Sequence, residues 1–148
     1  MATKRYRVKQ IFYTLQGEGW FTGTPAVFVR FVGCNMWSGQ EQDRQRDSER
    51  LGGEDGRPTC AMFCDTDFTS EGSAAYTAAE LVSEVLRVGQ GCRFVVCTGG
   101  EPLLQMDGEL MEAMHGKSGG GGRLFVSVET NGTVSLRRFR SSNKDEST

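Results

Sequence analysis

Nowhere does the sequence hold an apolar run near the roughly eighteen residues needed to cross a bilayer, so an integral membrane protein is not expected. The N-terminus, MATKRYRVKQ, is basic but lacks the apolar stretch of a secretory signal, and it is too short for an organelle transit peptide. A large excess of either charge is missing as well. Seventeen Lys and Arg against nineteen Asp and Glu give a formal net charge of -2, and no global basic field draws the chain to nucleic acid or an anionic membrane. Aromatic residues are only 9% of the chain, and with 37% hydrophobic residues overall a single modest core is expected. There is no internal repeat. The expectation is a cytoplasmic protein of one domain, with neither a nucleic acid nor a membrane as partner.

Glycine and cysteine are what the chain does have. Twenty glycines in 148 residues imply many turns or many places where backbone approaches a ligand. Five cysteines without an export signal read as thiol ligands or core residues rather than disulfides.

Tyr6 to Tyr13 (YRVKQIFY) reads as a strand, followed by the glycine-dense loop TLQGEGWFTGTP. Ala26 to Gly33 (AVFVRFVG) is apolar on both faces, as a strand covered on both sides in a parallel sheet would be. From Gln40 to Arg57 ten charged residues accompany one large apolar residue, and an exposed, mobile insertion is expected. Thr77 and Glu80 form a capping box ahead of the stripe Leu81, Val82, Val85 and Leu86, a helix ending near Gly89. Arg93–Thr98 is a buried strand, Leu110, Met111 and Met114 mark a second helix, and Gly119–Gly122 is a flexible connector. Arg123–Glu129 is another strand. Alternating strands and helices point to an α/β fold with parallel strands and right-handed crossovers. Residues 1–134 form the expected core and 135–148 a polar, disordered tail.

Cys34, Cys60 and Cys64 lie in or beside loops, and thiolates suit zinc or iron–sulfur clusters. Spacing alone leaves three readings open: incidental thiols, a structural zinc with His115 as fourth ligand, or a cluster held by three thiolates with one iron open. Cys97, inside an apolar strand, reads as core, and Cys92 is set apart from the other three. Gly99-Gly100 ends a parallel strand, where α/β folds place their ligands, although an ordinary tight turn has the same sequence.

Five segments in order, LQGEG (15–19), RFVGCN (30–35), CDTDF (64–68), CTGGEP (97–102) and ETNGT (129–133), resemble the 7-carboxy-7-deazaguanine synthase family. These are radical S-adenosylmethionine enzymes of queuosine precursor biosynthesis, and the resemblance runs from Tyr6 to Val134. It implies an incomplete (β/α)6-type partial barrel, usually homodimeric, supplied with electrons by a flavodoxin or ferredoxin. It implies a 4Fe–4S cluster on Cys34, Cys60 and Cys64, S-adenosylmethionine at Phe63, Cys64, Asp65 and Gly100, and Mg²⁺ at the Thr66 hydroxyl. The pterin substrate, 6-carboxy-5,6,7,8-tetrahydropterin, would meet Leu15, Gln16, Gly17, Arg30 and Thr98. Arg30 suits a carboxylate, because its planar fork donates two parallel hydrogen bonds.

The sequence departs from that pattern in three ways. Twenty-five residues separate Cys34 from Cys60, a longer interval than in the nearest family members. Three residues separate Cys60 from Cys64 where the family has two, so one is expected to bulge out. The segment after ETNGT matches nothing in the family, which suggests a C-terminally truncated relative with little or no turnover. A non-catalytic iron–sulfur or zinc protein is the competing reading. A radical enzyme with another substrate is the third, disfavoured by LQGEG and Arg30.

Overall fold

Side chains that alternate across an extended backbone are what seat strand β2 (Pro25–Phe31) between two apolar layers. Val27, Val29 and Phe31 join one core cluster, while Ala26 and Phe28 join another. Strand β4 (Phe94–Gly99) repeats the pattern, with Val95 and Cys97 on the first side and Phe94 and Val96 on the second. The computed structural model describes residues 3–52, 59–116 and 122–139.

Strand β1 (Tyr6–Leu15), strand β3 (Ala74–Tyr76) and strand β5 (Phe125–Val128) complete a five-stranded sheet of order β3-β1-β2-β4-β5. The parallel strands expected from the sequence are β2, β4 and β5. The other two make the sheet mixed: β1 runs antiparallel to β2, and β3 antiparallel to β1. The loop between β1 and β2 is short, so it can close a hairpin but cannot hold a crossover helix.

The larger core lies on one face of this sheet. There helix α3 (Ala78–Gly89) buries Leu81 and Val85 against Tyr6, Val8, Val27 and Val29. Each of those two side chains contributes about 2 kcal/mol by leaving water. The expected capping box is formed, since Thr77 accepts from the Glu80 N–H and the Glu80 carboxylate accepts from the Thr77 N–H. Helix α4 (Gly108–Met114) starts at Asp107, whose side chain accepts from the Leu110 N–H, and buries Leu110 and Met114 in the same core. The opposite face has the smaller cluster and is left partly open.

Two expectations about irregular segments change. The charged insertion is not a bare loop over its first half. A 3-10 turn at Glu41–Asp43 leads into helix α1 (Arg44–Leu51), and Asp47 is buried. After Val134, a 3-10 turn spans Leu136–Phe139, and Phe139 packs on the main core. The expected connector at Gly119–Gly122 falls almost wholly outside the described residues, as do residues 53–58 and 140–148.

Candidate functional site

At the C-terminal ends of β2 and β4 the two chains run unusually close. A Cβ on Gly99 would lie 2.3 Å from the Phe31 carbonyl oxygen, and one on Gly100 would lie 2.2 Å from that of Gly33 and 2.8 Å from the Cys34 Cβ. Gly99 also has φ of +140°, a conformation that L side chains rarely adopt. The glycine pair is therefore required by the neighbouring strand before any ligand is considered. The Glu101 N–H then donates to the Gly33 carbonyl at 2.8 Å, which fixes Gly100 against Cys34.

Helix α2 (Cys60–Phe63) is a single turn, closed by the Cys64 N–H donating to the Cys60 carbonyl at 2.8 Å. It answers the expectation that an extra residue must bulge out. With three residues between them, Cys60 and Cys64 are one helical turn apart and share a face. Cys34 and Cys64 both pack on the small core of Trp37, Ala61 and Phe68. The Cys60 thiol is pushed up by burial and further by the proximity of Cys34 and Cys64, so the three sulfurs share one neighbourhood. Among the described residues no three His, Cys, Asp or Glu side chains converge as the ligands of a single metal ion do, and His115 is not drawn to the cysteines. A 4Fe–4S cluster asks for less convergence, because each thiolate binds its own iron. The soft donor set fits that group. Cys97 is fully buried in β4 and its thiol is pushed up to about 12, which makes it a core residue. Cys92 donates to the Pro25 carbonyl at 3.3 Å.

The partly open face of the sheet holds a cavity of about 350 Å³, within the range of small-ligand sites. Leu15, Gln16, Gly17, Arg30 and Thr98, the expected substrate residues, all line it, and Thr66 lines it too. Phe12 and Phe28, stacked at 5.3 Å, form an apolar wall, and the Arg30 guanidinium stands 5.9 Å from the Phe12 ring. Phe63 and Asp65 do not line this cavity. They are exposed beside Cys64, and Phe63 is 70% accessible.

Sequence reasoning missed two glutamates. Glu129 lines the cavity and accepts from the Gln16 amide at 3.0 Å, which orients Gln16. Glu101 is completely buried and accepts from the Leu103 N–H, the Thr130 hydroxyl and the Asn131 N–H at 2.7–2.9 Å. Asn131 in turn donates to the Asn35 side chain at 2.9 Å. The segments GGEP, ETNGT and GCN are thus one hydrogen-bonded unit. Both glutamates sit in the quoted motifs, but a sequence does not show which partners a carboxylate will meet. Beyond Thr66, Asp67 is held down to about 2 by hydrogen bonds from Lys9 and Thr69. Lys9 also donates to the Glu71 carbonyl, so β1 anchors the CDTDF loop.

An α/β sheet with its thiols, glycine pair and cavity at one end of the parallel strands has the architecture of an incomplete (β/α)6-type partial barrel. The crystal structure of QueE from Escherichia coli matches it with a TM-score of 0.59 and 29% identity, over 90% of this chain and 55% of that one. No family model matches the sequence. The chain is 44% identical over 136 residues to 7-carboxy-7-deazaguanine synthase of Burkholderia multivorans, which covers 87% of this chain and 57% of that protein. The synthase of Caulobacter vibrioides is 42% identical over the same shares, and that of Nitratidesulfovibrio vulgaris is 43% identical over 141 residues. This chain is a relative of the 7-carboxy-7-deazaguanine synthases. It spans a little over half the length of the curated relatives it matches.

Proposed function

We propose that the chain carries out 7-carboxy-7-deazaguanine synthase chemistry, a carbon–nitrogen lyase reaction of queuosine and 7-deazapurine biosynthesis. It would contract the ring of 6-carboxy-5,6,7,8-tetrahydropterin with loss of ammonia. The observation that carries this reading is the gathering of Leu15, Gln16, Gly17, Arg30, Thr66 and Thr98 around one cavity. When bound, a 4Fe–4S cluster and S-adenosylmethionine supply the one-electron chemistry that removes a hydrogen atom from the substrate.

The protein's own part is to hold and orient. Cys34, Cys60 and Cys64 would bind the cluster, and Phe63, Cys64, Asp65 and Gly100 would receive S-adenosylmethionine beside it. Arg30 would grip the pterin carboxylate with its two-pronged donor, against the wall of Phe12 and Phe28. Glu129 holds the Gln16 amide so that Gln16 presents a fixed edge to the ring. Thr66 would offer its hydroxyl oxygen to Mg²⁺, a hard cation that prefers oxygen donors. A homodimer in the cytoplasm, reduced by a flavodoxin or ferredoxin, completes the proposal.

The test is an anaerobic assay with reductant, S-adenosylmethionine, Mg²⁺ and the tetrahydropterin, following 7-carboxy-7-deazaguanine by chromatography. Slow formation of product that requires every component is expected. Arg30→Ala should raise KM roughly a hundredfold, since a bidentate charged contact contributes about 3 kcal/mol. Cluster and cofactor binding without any product would instead support the non-catalytic iron–sulfur reading.

A further inference from the structure

Ten of the 25 residues between Cys34 and Cys60 are charged, yet helix α1 inside this insertion packs against the turn α2. Apolar contact does not explain this, because the only large apolar residue of the helix is Leu51. Two arginines do. Arg44 donates from Nη1 to the Ala61 carbonyl at 2.7 Å and from Nη2 to the Cys64 carbonyl at 3.0 Å. Its third donor, Nε, is taken by Glu41 at 2.6 Å. The guanidinium lies 4.0 Å from the centre of the Trp37 ring, and only 19% of the side chain is accessible. Arg50, one and a half turns along, donates to the carbonyls of Asn35 and Met36 on the Cys34 side. Asp47, between them and buried, accepts from the Ser38 N–H at 2.9 Å. The helix is tied to the chain on both sides of the thiol group.

We propose that Arg44 is the positioning residue of the three-cysteine site, spanning the two carbonyls of the Cys60–Cys64 turn and placing a fixed positive charge beside the cluster that the turn would hold. The proposal rests on the iron–sulfur reading above. The planar fork suits the task, since two N–H groups reach two carbonyls at once, and a lysine ammonium cannot match that spacing as a rigid unit. Stacking on Trp37 keeps the guanidinium in place. The Glu41 carboxylate on Nε offsets part of the charge, but it is largely in water while the guanidinium is not. The cation that remains favours the more negative, reduced state of a cluster and should raise the reduction potential.

The variants are Arg44→Gln and Arg44→Lys. Arg87→Gln, on the exposed side of α3, serves as control. In the metal-free protein, amide hydrogen exchange over 59–64 reports on the turn without any cluster. Exchange there should quicken roughly tenfold in Arg44→Gln and less in Arg44→Lys, with the strand β4 amides unchanged and the control like wild type. In the reconstituted protein, the midpoint potential followed by electron paramagnetic resonance should be more negative in Arg44→Gln and return toward wild type in Arg44→Lys. Wild-type exchange over 59–64 in Arg44→Gln would overturn the positioning role. Faster exchange with an unchanged potential would overturn the electrostatic role. Failure of the wild-type protein to take up iron would refute the cluster reading instead, and hydrogen exchange would still decide the role of Arg44 in the turn.

Discussion

Alanine at position 100 is expected to disrupt both the close approach of the two strand ends and the site built on it. Its methyl group would sit 2.2 Å from the Gly33 carbonyl oxygen and 2.8 Å from the Cys34 Cβ, and the first of these is backbone with nowhere to move. Overlap of that kind costs about 3 kcal/mol, which for a chain of this size lowers Tm on the order of 10 °C. Gly99→Ala should be at least as costly, because steric overlap with Phe31 is added to a positive φ. Gly108→Ala is the matched control. No atom lies within 4 Å of its added methyl group, and it stands in the first turn of α4, so its Tm should hold or rise slightly. Thermal unfolding of the three variants checks this. A Tm for Gly100→Ala equal to that of Gly108→Ala would mean that the strand ends are not packed as described.

The second large effect is expected at Glu101. Its carboxylate is fully buried and is the meeting point of GGEP and ETNGT. Glu101→Ala strips the partner from the N–H groups of Leu103 and Asn131 and from the Thr130 hydroxyl. The Leu103 N–H is the buried donor of the three, while Thr130 and Asn131 stand at the surface and can turn to water. Removing the acceptor of a buried donor costs about 1–3 kcal/mol, so a loss of about 2 kcal/mol is expected. Glu101→Gln keeps the shape and one acceptor but turns an amide N–H₂ toward other donors, and about half that loss is expected. Denaturant unfolding gives both values. Equal, small losses in the two variants would show that the network adds little to stability. Because Asn131 also holds Asn35, the same variants should loosen the segment that carries Cys34.

What the sequence made legible is mostly short-range. Capping at Thr77, the two-faced strands and the glycine break at 99–100 depend on neighbours in the chain, and the structure keeps all three. Leu15, Gln16, Gly17, Arg30 and Thr98, which the resemblance assigns to the substrate, line one cavity. Long-range facts were the hidden ones. Nothing in YRVKQIFY tells whether its partner strand runs parallel or antiparallel, since alternation is the same in both. Helix α1 was hidden for a different reason. Hydrophobic periodicity is the usual signal of a packed helix, and this helix packs through Arg44 and Arg50 onto backbone carbonyls. The Cys60–Cys64 interval is one residue longer than the family's two, and from the sequence the extra residue is expected to bulge out. A single helical turn accommodates three intervening residues without strain.

The proposed function requires that Cys34, Cys60 and Cys64 hold one cluster and that Cys92 and Cys97 stand outside it. The most direct measurement is iron and sulfide bound per chain after anaerobic reconstitution of each of the five Cys→Ala variants, with circular dichroism confirming that each folds. Near-complete loss of iron is predicted for Cys34→Ala, Cys60→Ala and Cys64→Ala, with wild-type loading in Cys92→Ala and in folded Cys97→Ala. Loss of iron from Cys97→Ala while Cys34→Ala stays loaded would place the cluster elsewhere.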